Sequence, residues 1–358
     1  MINEPQLDYL PKKPSECDYG IGLIGVGGIA EIGHIPAYLK AGYRISAIAD
    51  PIKSRREYAQ NVIGLGTENQ YADHRDLLNR SDVLIVDITI PQSSPNKISV
   101  VYDAIDAGKH VLIEKPIAMN YSEAKGVVTH ARKKDVKIAV CHQYRWMPVY
   151  RSIKNLIDQN YLGELYFLSI DERWDYDLPG SYDKQSQMLL MMQTVHFVDE
   201  LRWWTGVEPR QIFASLSHRP NQHIAGESIG TLVLDFDKNL RSVYVGNVAT
   251  HSQSQHHHIR IEGTGGIINA QHNDLWAPGS LEYSKVGAED LWYRPELKGE
   301  SFIDGYIGLM GDLMDSITED RAPLVSGLDN LKTMQVIFAA YKSAELGRAV
   351  KPSEIDSD

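Results

Sequence analysis

The chain has 358 residues, more than one ordinary hydrophobic core contains, so we expect two domains. Hydrophobic residues make up 43% of it and charged residues 23%, a balance typical of a globular protein. The formal net charge is −11, from 36 basic and 47 acidic residues. That charge argues against nucleic acid or an anionic membrane as the main partner.

Three features bear on the compartment. No apolar stretch approaches the length of a membrane span, and no signal peptide opens the chain. Two cysteines, Cys17 and Cys141, are too few for a disulfide framework. We therefore expect a cytoplasmic protein in which both thiols are incidental.

The first half of the chain predicts a doubly wound α/β domain. Residues 1–19 are polar and contain several prolines, so they predict an N-terminal extension. Over residues 20–143, helical segments alternate with apolar strands, which are YGIGLIG, RISAIAD, DVLIVDIT, HVLIE and KIAVCH. This alternation predicts right-handed crossovers and a parallel sheet.

A glycine-rich loop follows the first strand. GLIGVGGIAEIGH contains the pattern G-x-G-x-x-A at Gly25, Gly27 and Ala30, and Gly28 and Ile29 lie within it. The first glycine permits a tight turn, the second lets a pyrophosphate approach the backbone, and the small third residue lets the helix pack on the strand. The helix N-terminus then offers N–H groups to the phosphates. The loop therefore predicts a dinucleotide site.

The end of the second strand bears on the choice of cofactor. Asp50 ends RISAIAD, where an acid is expected to bind the adenosine ribose. This favours NAD, because a carboxylate repels the 2′-phosphate of NADP. Arg55 and Arg56 lie on the next helix and are able to reach such a phosphate, so NADP stays the less favoured alternative.

Two further strands end at the same predicted edge of the sheet. Thr89 and Pro91 follow one strand, and Glu114, Lys115 and Pro116 follow the next. Ligands bind beyond the carboxyl ends of strands in such sheets, so we expect these residues at the cofactor. A lysine partly removed from water loses basicity and exchanges protons near neutral pH. Lys115 is therefore the candidate acid/base.

The second half predicts an α+β domain over residues 144–358. Two helical segments are followed by several strands with few helices between them, and a final helix at about 327–348 is expected to pack back on the body. The strands predict a large, mostly antiparallel, open sheet. Its free face is a natural place for a substrate or for a second subunit.

Several segments together carry a family resemblance, and they are GLIGVGGIA, AIADP, AIDAGKHVLIEKP, QYRWMP and HFVDELRWWTG. From about residue 20 to 350 the chain resembles the family of glucose–fructose oxidoreductase and inositol dehydrogenase. The resemblance implies a Rossmann domain, an open sheet that forms a homodimer or homotetramer, and NAD(P)-dependent redox chemistry on a sugar, cyclitol or polyol. It assigns the transfer of the hydroxyl proton to Lys115.

The family's second catalytic segment, D-x-G-x-H-x-x-D, is altered here. SQMLLMMQTVHFVDE keeps His196 and Asp199 but has Met192 in place of the first aspartate and Thr194 in place of the glycine. A methionine neither orients an imidazole nor shares a substrate hydroxyl. We expect His196 to bind substrate or to assist proton transfer, and Asp199 and Glu200 to compensate in part.

Four further residues are candidates for the pocket wall. Tyr144, Arg145, Arg173 and Trp174 offer aromatic faces and guanidinium groups, which suit sugars. Met192 is expected beside them. The run QHHH at 255–258 does not predict a metal site, because alternate residues of a strand point to opposite faces.

Two alternatives to a dehydrogenase stay open. The first is an enzyme that cleaves glycosides or eliminates through a transient oxidation, with NAD bound throughout. The second is a non-catalytic protein that binds NAD or a sugar, in which Met192 marks the loss of activity.

Overall fold

The computed structural model describes residues 5–180, 182, 184–237, 239–250, 255–288 and 291–355. These residues divide into two compact units. The first unit contains Pro11–Gln143 and Phe302–Leu331, and the second contains the remaining described residues, most of them in Tyr144–Ser301. No helix in the described ranges is long and apolar enough to cross a membrane.

The first unit is built on a parallel sheet of six strands among the residues described. In chain order they are β1 (Ile21–Ile24), β2 (Ile45–Ala49), β3 (Gln70–Tyr71), β4 (Ile85–Ile88), β5 (His110–Ile113) and β6 (Ile138–Val140). Their spatial order is β3-β2-β1-β4-β5-β6, and every pair is parallel. The helices between them are α1 (Ile35–Ala41), α2 (Lys53–Ile63), α3 (His74–Leu78), α4 (Lys97–Asp106) and α5 (Tyr121–Lys133). The predicted doubly wound Rossmann architecture is confirmed.

The central strands of this sheet are buried on both faces, which explains their almost continuous apolar sequences. Local signals set several helix ends. The Asn120 side chain accepts a hydrogen bond from the Glu123 N–H at 2.8 Å and caps α5. Gly42 ends α1 in the left-handed conformation, which glycine adopts without a steric penalty.

The second unit is built on a seven-stranded mixed sheet in the part of the chain described. Its helices are α6 (Pro148–Asp158) and α7 (Val195–Thr205), and its strands are β7 (Leu165–Arg173), β8 (Gln211–Ser217), β9 (Ile229–Asp235), β10 (Arg241–Asn247), β11 (His256–Gly263), β12 (Gly266–His272) and β13 (Ser280–Lys285). The order is β13-β12-β11-β7-β10-β9-β8, and only β7 and β10 run parallel. The predicted large, mostly antiparallel sheet is confirmed.

One face of this sheet is covered and the other is open. Along β7, Leu168, Ile170 and Glu172 are buried, whereas Asp171 and Arg173 alternate with them and are partly exposed. The strand period of two residues places these two sets on opposite faces. The rings of Phe197 on α7 and Tyr244 on β10 lie 5.7 Å apart, so α7 packs on the covered face.

The last two helices are α8 (Ser301–Thr318) and α9 (Gly327–Leu346). The segment Phe302–Leu331 groups with the first unit, where Val140 donates a backbone hydrogen bond to Val325 at 2.9 Å. This differs from the expected division, which placed all residues after 143 in the second domain. Later in α9, the Ser343 hydroxyl accepts from the Ala214 N–H at 2.9 Å, so this part packs on the second unit's sheet.

Candidate active site

The glycine loop leaves β1 through a turn that requires glycine. Gly25 has a φ of +88°, and a Cβ there would meet Ile90 at 3.1 Å. The Thr89 hydroxyl donates to the Gly25 carbonyl and links the loop to the end of β4. Gly28 has open space where a Cβ would stand. These features suit the close approach of a pyrophosphate.

The helix after the loop begins with an unusual turn. Ile29 has helical dihedral angles, Ala30–His34 forms a π-helical turn, and α1 continues from it. π-Helical turns are rare and recur at functional sites. His34 is the last residue of this turn.

Asp50 lies directly against the loop. Its Oδ2 accepts a hydrogen bond from the Val26 N–H at 3.0 Å, and its Oδ1 accepts from the Ile52 N–H at 2.8 Å. Arg55 approaches the same carboxylate at 3.9 Å, and Arg56 donates to the Asp50 carbonyl at 2.6 Å. The structure therefore brings together the acid predicted for the ribose and both arginines that bear on the choice of cofactor.

Lys115 follows the end of β5 beside a cis peptide bond to Pro116. Its side chain is partly exposed, whereas Glu114 is buried. Pro91 follows the neighbouring β4 and is exposed. Because β1, β4 and β5 are adjacent and parallel, the glycine loop, Pro91 and Lys115 follow the carboxyl ends of neighbouring strands.

A buried ionic network lies behind Lys115. His34 is completely buried, with Nδ1 at 2.7 Å from Asp87 Oδ2 and Nε2 at 3.1 Å from Glu114 Oε1. The Tyr38 hydroxyl donates to Asp87 at 2.7 Å, and the Tyr306 hydroxyl donates to Glu114 at 3.0 Å. The network joins the turn after the glycine loop to β4 and to the residue before Lys115.

The opposite charges in this network stabilise one another because they lie close together. Burial opposes the charge of His34, but the Asp87 carboxylate and hydrogen bonds to Asp87 and Glu114 outweigh it and raise the pKa of His34 to about 9. His34 is therefore an imidazolium at neutral pH, and both ring nitrogens donate. Burial likewise opposes the charge of Glu114, but the hydrogen bond from His34 and the surrounding cations lower its pKa.

The same region holds a set of side chains with metal-ligand chemistry. One atom each of His34, Glu114 and Cys141 lies within 4.8 Å of the others. However, both His34 nitrogens are already bonded to carboxylates, and burial raises the pKa of the Cys141 thiol. Only the thiolate is a metal ligand, so these three residues are better described as part of the hydrogen-bonded network than as a metal centre.

His196 is the first candidate of the second unit. It lies in the first turn of α7, directly after a π-helical turn at Leu190–Thr194, and is 3% exposed. The Tyr144 ring stacks on its imidazole with 4.3 Å between centroids and an angle of 6° between planes. Tyr144 therefore fixes the plane of the histidine ring.

Asp199 and Arg145 form a buried bidentate ion pair. Arg145 Nε donates to Oδ2 at 2.7 Å and Nη2 donates to Oδ1 at 2.8 Å. The Thr333 hydroxyl also donates to Oδ1 at 3.2 Å. Both carboxylate oxygens are occupied, so Asp199 is placed to anchor α7 to the segment that carries Tyr144.

The remaining candidates for the pocket wall lie in two different places. Met192 and Trp174 are 9% and 6% exposed and belong to one apolar cluster that also contains Met188, Leu189, Ile224, Val248 and Ala249. Arg173 lies on the open face of the sheet, where it pairs with Asp171 at 2.6 Å. The structure therefore brings Met192 and Trp174 together but leaves Arg173 on the face opposite α7.

Glu200 has a different environment from Asp199. It is fully buried on α7, and neither carboxylate oxygen has a hydrogen-bond partner within the described part of the chain. Burial and the neighbouring Asp199 raise the pKa of Glu200 well above the usual range, which favours its protonated form. It lies one turn after His196 on the same helix face.

The sequence did not reveal the polar core of the second unit. The Tyr150 hydroxyl lies 2.7 Å from His257 Nδ1 and 3.3 Å from His272 Nδ1. The Tyr244 hydroxyl donates to Glu172. Burial, with the nearby histidines, holds the pKa of His257 well below its usual range, so its ring is neutral. A signal was present in β11, where His257 falls on the buried side of the strand period.

Comparison with family models gives two matches along the chain. Residues 19–142 match an oxidoreductase family model with an NAD-binding Rossmann fold, and residues 154–351 match an oxidoreductase family C-terminal alpha/beta domain. The gap between the two matches falls after β6, the last strand of the parallel sheet, and before β7, the first strand of the mixed sheet. The two matches account for most of the chain.

Characterised relatives cover nearly the whole length. D-apiose dehydrogenase from Paraburkholderia graminis is 23% identical over 350 residues, which are 94% of this chain and 90% of the relative. Myo-inositol 2-dehydrogenase from Thermotoga maritima is 26% identical over 341 residues, which are 94% of this chain and 99% of the relative.

Solved structures agree on the fold. An oxidoreductase from Agrobacterium radiobacter, in complex with NAD+, L-tartaric acid and magnesium, has a TM-score of 0.84 at 22% identity, with 94% of this chain and 99% of that chain covered. Levoglucosan dehydrogenase, in complex with NADH and levoglucosan, has a TM-score of 0.81 at 19% identity, with 93% and 98% covered. The resemblance noted in the sequence is confirmed, and the chain belongs to the Gfo/Idh/MocA family of oxidoreductases, with an NAD-binding Rossmann domain followed by the family's C-terminal α/β domain.

Proposed function

We propose that this enzyme transfers hydride between a nicotinamide cofactor and a secondary alcohol or ketone of a sugar, cyclitol or related polyol. The observation that carries the proposal is the placement of Lys115. It follows β5 in the same parallel sheet in which the glycine loop follows β1 and Thr89 follows β4. A partly exposed amine beyond these strand ends is suited to exchange a proton with a substrate hydroxyl.

The cofactor in this proposal is NAD rather than NADP. Gly25, Gly27, Gly28, Ile29 and Ala30 would hold the pyrophosphate, and Asp50 would accept hydrogen bonds from the adenosine ribose. The bound nicotinamide supplies the acceptor or donor of the hydride. Asp50 supports NAD because it is fixed by the Val26 N–H beside the loop, where a 2′-phosphate would meet its charge.

His196 assists Lys115 by hydrogen bonding to the substrate. Its imidazole is fixed by the Tyr144 ring, which favours a defined direction for any hydrogen bond that it makes. Arg145 and Asp199 act indirectly, since their ion pair anchors α7. Met192 and Trp174 contribute an apolar part of the pocket wall.

The relatives support the substrate class. The characterised relatives are dehydrogenases of D-apiose and of myo-inositol, and a structural neighbour is a levoglucosan dehydrogenase. All three names refer to polyhydroxylated carbon compounds.

We further propose that the enzyme works in the cytoplasm, as a homodimer or homotetramer formed through the open sheet face. Light scattering on the purified protein would test the oligomeric state.

The experiment follows nicotinamide absorbance with NAD and separately with NADP, while sugars, cyclitols, sugar acids and glycosides are offered and products are analysed. Steady accumulation of NADH is the expected result. Lys115→Met should reduce kcat by at least about 100-fold without weakening NAD binding. Product without NADH would instead indicate a bound-NAD enzyme that cleaves glycosides or eliminates. NAD binding without any product, and unchanged by Lys115→Met, would indicate a non-catalytic binding protein.

A further inference from the structure

A second lysine lies beside Lys115 in the first unit. Lys97 is the first residue of α4, and the buried stripe of this helix continues through Val100, Val101, Ala104 and Ile105. Positions three and four residues apart share a helix face, so Lys97 belongs to the apolar side of α4. It is 3% exposed, which is rare for a lysine.

The Lys97 side chain spans the peptide segment that carries Lys115. Its Nζ donates to the Glu114 carbonyl at 2.6 Å and to the Pro116 carbonyl at 2.7 Å. These two carbonyls flank Lys115 on either side. A single ammonium therefore fixes the backbone at both neighbours of the candidate acid/base.

Lys97 also brings charge to this segment. Burial is the main factor that lowers its pKa to about 8, against the attraction of Glu114 and Cys141, and Lys115 lowers it further. The repulsion between two ammonium groups acts equally on both, so a charged Lys97 disfavours the charged form of Lys115. The titratable groups around the segment are Lys97, Lys115, Glu114, Cys141, His34, Asp87, Tyr38 and Tyr306.

We propose that Lys97 is a positioning residue for Lys115: it fixes the flanking backbone, and its charge favours the neutral amine of Lys115. This inference rests on the proposed function, in which Lys115 exchanges the substrate proton. The neutral amine is the form that accepts a proton in the oxidation direction. Lys97 thus keeps Lys115 ready to act as a base.

The first unit offers a matched control. Lys109 is also buried, and its Nζ donates to two backbone carbonyls, Arg80 at 2.7 Å and Val83 at 2.8 Å. It precedes β5, whereas Lys115 follows β5, so the two lie at opposite ends of the strand. Lys109→Met removes a similar carbonyl contact without removing charge near Lys115.

The experiment measures the reactivity of the Lys115 amine between pH 6 and 11. Trace acetylation of the full chain is quantified by mass spectrometry on the peptide that contains Lys115. In Lys97→Met and Lys97→Gln the reactivity of the Lys115 amine below pH 8, where Lys97 is charged, should fall by about tenfold, while Lys97→Arg and Lys109→Met should keep the wild-type reactivity in that range. The acidic limb of kcat/KM should move to higher pH by about one unit in Lys97→Gln.

An unchanged reactivity of the Lys115 amine below pH 8 in both neutral variants overturns the inference, and so does an equal loss of reactivity in Lys109→Met. Lys97→Gln keeps a hydrogen-bond donor, so it serves as the test if Lys97→Met does not fold. Turnover of a polyol together with an unchanged reactivity of Lys115 below pH 8 would refute this inference and leave the proposed function intact. A lowered reactivity in a protein that turns over no polyol would refute the proposed function alone.

Discussion

Replacing His34 by glutamine is expected to remove a pH-dependent contribution to the stability of the first unit. The pKa of His34 is about 9 in the folded protein against 6.5 for an ordinary histidine, so its protonation stabilises the folded state by about 3 kcal/mol. Because the folded pKa is the higher one, this contribution is fully present below pH 6.5 and is lost as the pH rises through about 9.

The contribution of His34 to stability is best measured between pH 6.5 and about 8. Within this range the contribution of His34 falls by about 1.5 kcal/mol. Above that pH, Lys97 begins to lose its proton in the folded state and acts in the opposite direction. Glutamine keeps a polar amide in the cavity but carries no charge, so the pH dependence isolates the imidazolium.

Hydrogen exchange measured by mass spectrometry on peptides from β4 and β5 reports this local stability. All six tryptophans lie in Tyr144–Ser301, so their fluorescence during urea unfolding reports the second unit as an internal control. His130→Gln, on the partly exposed surface of α5, should follow the wild-type curve. If protection of β4 and β5 in His34→Gln changes with pH in parallel with wild type, His34 is not charged in the folded state and the reasoning is wrong.

Other substitutions and treatments test the remaining sites. Asp50→Ser should raise the affinity for NADP relative to NAD by about tenfold, as measured by fluorescence titration, because it removes the carboxylate that repels a 2′-phosphate. Arg145→Met leaves Asp199 as a buried charge without its main partner and should cost about 3–5 kcal/mol in urea unfolding, and a loss below about 1 kcal/mol would contradict a buried pair. Gly25→Ala, at a φ of +88°, should destabilise the loop by about 1–2 kcal/mol and weaken NAD binding. Dialysis against a chelator should leave turnover unchanged, and a loss restored by zinc would overturn our description of the buried histidine network.

The features that the sequence predicted are those set by short-range patterns. The glycine loop, Asp50 and Lys115 each follow a strand that is recognisable from a few apolar residues, and the sheet edge on which they lie follows from parallel pairing. The large, mostly antiparallel sheet of the second unit was predicted in the same way, from runs with strand periodicity. The parallel pair that β7 and β10 form within this sheet was not predicted, because strand pairing depends on contacts between residues distant in the chain.

The features that the sequence did not predict depend on contacts between residues that are far apart in the chain. His34 meets Asp87 and Glu114, which are 53 and 80 positions away, and Tyr306 meets Glu114 across 192 positions. The π-helical turn that ends at His34 was not predicted either. Lys97 did leave a signal, since a lysine on the apolar stripe of a helix has to find buried acceptors.

The alteration at Met192 now has a physical interpretation. Met192 packs in an apolar cluster, and Asp199 is occupied by Arg145, so neither provides the second unit with an acceptor for a proton from His196. Glu200 lies one turn after His196, and burial together with Asp199 raises its pKa, which favours its protonated form.

In the first unit, by contrast, the pKa of Lys97 is about 8 and that of His34 is about 9, so groups beside Lys115 change charge close to neutral pH. If the proposed dehydrogenase reaction is right, its pH dependence should therefore arise from the network behind Lys115. Substitution of His196 by Asn should then lower kcat while leaving the position of the acidic limb unchanged, whereas substitution of Lys97 by Gln should move that limb. A limb that moves with His196 and not with Lys97 would place the titrating base in the second unit and reverse this argument.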